Sequence, residues 1–322
     1  MGGCLISGAG GFVGRALATH LRASGRRVAT VGLRTEPAGA RDGPTGSPVQ
    51  QWVRALDRYR PEVVFHLAGA MQGDEAFLRA VNVGLTEALV EALRLTGLRP
   101  VLIVAGSAAE YGAAVLDGIP VREDAACSPG TPYGRSKLAQ TRAALAFRGE
   151  ERSRVLVARI FNPIGPGMPG HLALADFARQ IARMPSSGGT LVTGNLDVRR
   201  DFLHIDDLAA ALASLAGHDA ADGIWNVCSG VPTRLRDLLD SMIAASGKDV
   251  RISPDLNRYR QDELETIVGD TARISTLTGG LWRRDLRDAA IRLQSVLDDS
   301  RLPPPHGAAS PSRALKPGVG SR

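Results

Sequence analysis

Tyr133 and Lys137 stand four residues apart in "PYGRSKLAQ". On a helix that spacing puts both side chains on one face, about a turn apart. A phenol with a pKa near 10 is a poor acid–base group at neutral pH, but a neighbouring ammonium stabilises its phenolate. Lowering the pKa by about three units takes roughly 4 kcal/mol, much of which a lysine and a second positive group could supply together. A third polar group lies upstream: Ser107 closes the apolar run "VLIVAGS" (101–107), where it either caps the strand end or faces a substrate.

A phosphate loop opens the chain. "SGAGGFVGRAL" sets Gly8, Gly11 and Gly14, with Phe12 and Val13 between the last two, at the junction of an apolar strand and an amphipathic helix. Glycines suit that junction because the chain turns sharply, a pyrophosphate must reach backbone N–H groups, and the helix must pack close to the sheet. The pattern predicts dinucleotide binding. The next strand, "VATVGL" (28–33), is followed by Arg34, where an acid would bind the adenosine ribose 2′-hydroxyl and an arginine suits a 2′-phosphate. NADP is therefore expected over NAD; with Glu36 close by, the competing reading of Arg34 is a solvated arginine at a strand end.

These residues need a scaffold, and the sequence supplies one. Strand-like runs at 4–7, 28–33, 63–69, 101–107 and 155–161 alternate with helical patterns at 12–24, 48–58, 75–96 and 133–148. The alternation predicts an α/β fold of Rossmann type, a doubly wound parallel sheet with right-handed crossovers. After Ile160 the Gly- and Pro-rich "NPIGPGMPG" starts a smaller α/β lobe. We divide the chain into a cofactor domain, 1–165 rejoined by about 196–230 through "DFLHIDDLAAALASLAG" and "IWNVCSG", and a substrate lobe, 166–195 with 231–300. A last amphipathic helix is expected at roughly 284–298, and 302–322 reads as a disordered tail. The stretch 35–48 has too few apolar residues for a clear third strand.

Composition excludes several classes. The chain has 322 residues, 44% hydrophobic and 22% charged, and no apolar run long enough to span a membrane. The net charge of +6 includes Arg301, Arg313, Lys316 and Arg322 in an acid-free stretch, leaving about +2 for the rest. That is too little for a nucleic-acid footprint. Cys4, Cys127 and Cys228 lie far apart, so neither a metal site nor a disulfide framework is implied. The first residues show no secretory signal, and a soluble cytoplasmic protein is expected.

With the glycine loop, Ser107 and the Tyr133–Lys137 pair in place, residues 1 to about 300 resemble the extended short-chain dehydrogenase/reductase family, the NAD-dependent epimerases and dehydratases of nucleotide sugars. The resemblance implies that Ser107, four residues before Tyr111, binds and polarises the reacting oxygen, with Ala108 beside it in the substrate site. It makes Tyr133 the acid–base residue and has Lys137 hold the nicotinamide ribose and lower the tyrosine's pKa. "HLAGAMQ" resembles the segment under the cofactor, with Leu67, Ala68 and Gly69, and Asn82 resembles the helix asparagine that supports the tyrosine region. "RIFNPIGPG" puts Asn162 near the substrate, and Arg200, whose role Arg199 could share, joins Arg260 in neutralising a diphosphate. The family's adenine-side acid has no obvious counterpart in 35–48, where Asp42 is a candidate. The resemblance also implies a homodimer through a four-helix bundle.

The reaction class turns on two alanines. Family 4,6-dehydratases carry an Asp-Glu pair just after the serine or threonine, and Ala108 and Ala109 occupy those positions here. A methyl group cannot move a proton, so dehydration is not expected. "GSAAEYG", "RIFNPIGPG", "GNLDVRRDF" and "NVCSG" look most like GDP-4-keto-6-deoxy-mannose reductases, which implies NADPH-dependent reduction of a C4 ketone to GDP-rhamnose or a related 6-deoxyhexose. The alternatives are a 4-epimerase with tightly bound NAD, a 3,5-epimerising reductase using Cys127 or His171, and a non-catalytic cofactor-binding protein. Glu110 is expected to be a local hydrogen-bonding residue.

Overall fold

The computed structural model describes residues 3–33, 46–150, 153–259, 263–278 and 284–298. The five apolar runs become strands β1 (Gly3–Ser7), β2 (Arg27–Val31), β3 (Val63–His66), β4 (Val101–Ser107) and β5 (Val155–Ile160). They pair in parallel in the order β2–β1–β3–β4–β5. Parallel strands need long crossovers, here made by helices α1 (Phe12–Ala23), α2 (Pro48–Tyr59), α3 (Glu75–Leu78), α4 (Leu85–Thr96) and α5 (Pro132–Leu145). The order reverses between β1 and β3, which opens a crevice beyond the carboxyl ends of those strands.

The rest of the chain comprises β6 (Asn162–Ile164), α6 (Ala173–Arg183), β7 (Gly189–Thr193), β8 (Arg199–His204), α7 (Ile205–Gly217), β9 (Gly223–Val227), β10 (Pro232–Arg234), α8 (Leu235–Ser246), β11 (Val250–Pro254), β12 (Thr266–Ile267), α9 (Ala272–Thr278) and α10 (Leu286–Asp298). Strand β9 joins β5 in parallel and completes a six-stranded sheet. One face of that sheet buries Leu17 and Leu21 of α1 with Leu208, Leu212 and Leu215 of α7. The other buries Trp52 and Leu56 of α2, Leu89 and Leu93 of α4, and Ala144 of α5. A separate core gathers Phe177 and Ile181 of α6, Leu238 and Met242 of α8, and Ala290 and Leu293 of α10.

Two local differences from the sequence reading have physical causes. The stretch 75–96 is not one uniform helix, because Arg79–Gly84 winds as a π-helix between α3 and α4. Asn82 lies in that segment, and its amide exchanges hydrogen bonds with the Ala70 backbone, accepting from N–H (2.8 Å) and donating to the carbonyl (2.9 Å). Such bulges recur where a helix must aim a functional side chain. The return to the parallel sheet is made by β9, whereas β8 pairs with β6, β10 and β12. Buried Asp201 ties β8 there by accepting from the Ser229, Gly230 and Gly269 N–H groups at 2.7, 2.9 and 3.1 Å.

Candidate active site

The glycines at the start of α1 are required by contact. Gly8 has a φ of +71°, and a Cβ there would lie 2.6 Å from Ala68 N. A Cβ on Gly14 would overlap the Gly8 carbonyl oxygen, so α1 packs on the strand end only if residue 14 is bare. Gly11 N-caps α1 without a side-chain hydrogen bond, and no acid lies in the first turn. Phe12 and Val13 pack their side chains against the sheet core, leaving first-turn N–H groups and the positive helix end for an anion. A pyrophosphate fits this bare, positive cradle. Sequence reasoning missed Arg15 in the same turn, whose guanidinium donates to the Gly10 carbonyl and reaches the Gly167 carbonyl at 3.4 Å. Only its place one residue after Gly14 could have drawn attention to it.

Tyr133 meets Ser107 because α5 starts against the end of β4. Thr131 caps α5, accepting from Gly134 N–H (3.0 Å), and Pro132 presets its first turn. A Cβ on Gly134 would lie 2.5 Å from the Ala109 carbonyl oxygen, so a bare residue at 134 permits that approach. Ser107 also caps the short turn Ala108–Glu110, its Oγ accepting from Ala109 N–H (3.2 Å). The capping reading of this serine is thereby met in the fold. Ala108 packs against the cluster that buries Tyr111 and Phe161.

The electrostatics differ from the expectation in one respect. Burial pushes the Tyr133 phenol up, Ser107 pulls it down through a hydrogen bond, and Glu110 adds a smaller upward push. Lys137 was expected to lower that phenol's pKa, yet here its Nζ donates to the Ala105 carbonyl (2.5 Å) and to Gln140 Oε1. The reason is its depth: Lys137 is buried, which lowers its own pKa to about 8, against a smaller raising effect from Glu110. An ammonium has three N–H donors. Two are fixed by protein and one remains.

Behind the lysine runs a buried polar chain with a definite direction. Gln140 Nε2 donates to Thr86 Oγ1 (3.0 Å), and the Thr86 hydroxyl gives its one proton to the Asn82 carbonyl (2.9 Å). His66 Nε2, 3.0 Å from Thr86 Oγ1, must then be the protonated nitrogen. His66 Nδ1 accepts from the Ser7 hydroxyl (2.8 Å), and Ser7 Oγ accepts from Ala68 N–H (3.3 Å), in the Leu67–Gly69 segment beside the glycine loop. Burial, and then the charge on Lys137, lower the pKa of His66 to about 3, so it stays neutral. Asn82 supports the tyrosine through a branch: Nδ2 donates to Ser136 Oγ (2.9 Å), which donates to the Tyr133 carbonyl (2.8 Å). A Cβ on Gly69 would press on Asn82 Oδ1 at 2.9 Å.

On the far side, Asn162 Nδ2 donates to the Asp201 carbonyl (2.9 Å), fixing β6 to β8. Arg200 pairs with Glu263 (3.1 Å) and donates to the Leu264 and Glu265 carbonyls, while Arg199 is exposed. Arg34, Asp42 and Arg260 lie outside the described residues. The Cys127 thiol, pushed up by burial, donates to the Ala125 carbonyl (3.7 Å), and His171 is exposed at the approach to α6. Among the described residues no group of metal-ligating side chains could hold an ion, and no helix is long and apolar enough to cross a membrane.

The chain is similar to known proteins. The GDP-6-deoxy-D-mannose reductase of Pseudomonas aeruginosa is 34% identical over 246 residues, covering 74% of this chain and 80% of its own. A dTDP-6-deoxy-L-talose 4-dehydrogenase (NAD(P)(+)) of Kitasatospora kifunensis is 34% identical over 304 residues, covering 89% and 93%. The structure of RMD from Pseudomonas aeruginosa complexed with NADPH superposes with a TM-score of 0.78 at 30% identity, covering 92% of this chain and 99% of that one. A family profile spans residues 4–228, from β1 to just past β9, and so takes in the whole surface on which the serine, tyrosine and lysine meet. The chain belongs to the NAD dependent epimerase/dehydratase family.

Proposed function

We propose that this protein is an NADPH-dependent reductase of the C4 ketone of a nucleoside-diphosphate 4-keto-6-deoxyhexose, giving GDP-rhamnose or a related 6-deoxyhexose. One observation carries the reading: the Tyr133 phenol is buried, which holds it in its proton-donating form, and feels the Ser107 hydroxyl, while the two positions after Ser107 are alanines without an acid or base. A buried phenol is poised to give a proton, which ketone reduction requires. Two relatives act, by name, on a 6-deoxyhexose carried on a nucleoside diphosphate, one as a reductase and one as a 4-dehydrogenase.

In this reading the α1 N-terminus with Gly8, Gly11 and Gly14 would hold the pyrophosphate, Leu67–Gly69 would border the cofactor, and Arg34 would be the residue that takes the 2′-phosphate. The remaining Lys137 N–H would be the donor to the nicotinamide ribose. Bound NADPH supplies hydride to C4. Ser107 hydrogen-bonds the C4 oxygen as charge grows on it, and Tyr133 gives that oxygen its proton. Asn162, Arg200 and Arg260 bind the nucleotide sugar, and for Arg200 this means sharing its guanidinium between Glu263 and a diphosphate oxygen. Residues 1–165 with about 196–230 form the cofactor domain, and 166–195 with 231–300 the substrate lobe. A cytoplasmic homodimer paired through α4 and α5, which pack side by side, completes the proposal.

The test is a panel of GDP- and dTDP-linked 4-keto-6-deoxy sugars with NADPH. Stoichiometric NADPH oxidation with one of them is expected. Isomerisation without net cofactor use would make the protein an epimerase, and binding without turnover a non-catalytic relative.

A further inference from the structure

Glu110 takes no part in the proposed reaction, yet it is fully buried beneath it. Its two oxygens serve three elements. Oε1 accepts from Ser107 N–H at the end of β4 (2.8 Å), while Oε2 accepts from Thr141 Oγ1 on α5 (2.9 Å) and from Arg159 Nε on β5 (2.9 Å). The seat requires Gly106, where a Cβ would lie 2.8 Å from Oε1. Arg159 is itself pinned, its guanidinium 4.5 Å from the Tyr111 ring centre and donating to the Glu123 carbonyl (3.2 Å).

We infer that Glu110, anchored by Arg159, is the positioning residue that sets Ser107 against Tyr133 and Lys137; the inference rests on the reductase reading of that site. Thr141 lies one helical turn beyond Lys137, so a bond to Thr141 fixes how α5 sits along and about its axis. A bond to Ser107 N–H fixes the strand end. Because both bonds end on one carboxylate, the strand–helix spacing is limited to the width of that group. A glutamine could satisfy only part of this set, since its amide offers a single acceptor oxygen and its NH₂ would face donors on Thr141 or Arg159.

The charge reaches further than the contacts. Glu110 pushes both Tyr133 and Lys137 upward. The other groups facing this pair are the Ser107 hydroxyl on β4 and neutral His66 on β3, with Arg159 on the far side of Glu110. Removing the negative charge while Arg159 remains therefore lowers both pKa values.

The test compares Glu110→Gln with Thr141→Val, which deletes one bond and spares the ion pair. For Glu110→Gln we expect kcat to fall about 10–100-fold, the penalty of a slightly misplaced group, with KM for sugar and NADPH within about twofold. The alkaline limb of its kcat/KM profile should move to lower pH. Thr141→Val should lower kcat about three- to tenfold with that limb in place. Tyr133's own titration, read from phenolate absorbance as wild type minus Tyr133→Phe, needs no turnover and should fall in Glu110→Gln. A folded Glu110→Gln protein with unchanged kcat and an unmoved Tyr133 titration would overturn the inference. If that variant does not fold, an unchanged kcat in Thr141→Val overturns it. A wild-type protein that turns over no 4-keto sugar speaks against the reductase reading alone, because the tyrosine titration still judges Glu110.

Discussion

At the scale of single residues, Lys137 dictates the pH behaviour. Its pKa of about 8 is set mainly by burial, and above that pH the ammonium to which the proposed function gives the ribose is lost. Tyr133, pushed upward, keeps its proton through the same range. The alkaline limb of kcat/KM thus belongs to the lysine, and we expect it to fall about tenfold per pH unit above roughly pH 8. Lys137→Met should lose the limb together with most of its activity, and a limb that survives in this variant assigns it elsewhere. Tyr133→Phe should abolish turnover and leave NADPH affinity nearly intact, as a fluorescence titration would show. These residues were legible in the sequence because their chemistry demands fixed types at fixed spacing. Gln140, His66 and Arg15 were not, because each takes its role from a partner the spacing does not show; Arg15 and Gly167 lie 152 positions apart. Glu110 was visible as a hydrogen-bonding residue, but its partners on α5 and β5 were not.

At the scale of elements, the site is a contact between the end of β4 and the start of α5, and Gly134 sets how close they come. A methyl group at 134 would meet the Ala109 carbonyl oxygen at 2.5 Å and Pro129 Cβ at 2.9 Å, neither of which is the free end of a flexible chain. The helix start would have to retreat, carrying Tyr133 away from Ser107. We expect Gly134→Ala to lower kcat about 100-fold, as a displacement near 1 Å does, with little change in NADPH binding. Unchanged kcat would show that the close approach does not position the tyrosine. The sequence predicted both elements to within a few residues, since apolar runs and the Thr131-Pro132 helix start are local signals. It read 75–96 as one helix because the apolar period continues through Arg79–Gly84. What unwinds that segment is the exchange between Asn82 and Ala70, a contact with a loop that periodicity does not encode.

Across the whole molecule, the chain from Ser7 through His66, Thr86 and Gln140 to Lys137 stitches β1, β3, α4 and α5 together with one charge, at its lysine end. Protonating His66 would bury a second cation beside that lysine and remove the Nδ1 acceptor that Ser7 uses. The folded pKa is lowered to about 3, whereas the unfolded chain has the ordinary histidine value of 6.5. As pH drops through 6.5 the unfolded state takes up this proton and the folded state does not, so stability is full above that value and declines below it. One such group removes about 1.4 kcal/mol of unfolding free energy per pH unit between roughly pH 6.5 and pH 3. Urea unfolding at a series of mildly acidic pH values, wild type against His66→Gln, checks the argument. The wild type should lose stability more steeply by about that amount per unit, although the variant starts lower at neutral pH because its amide cannot bridge Ser7 and Thr86 as the ring does. Parallel slopes would mean that His66 is not held neutral in the fold, and the direction assigned to the whole chain would fall with it.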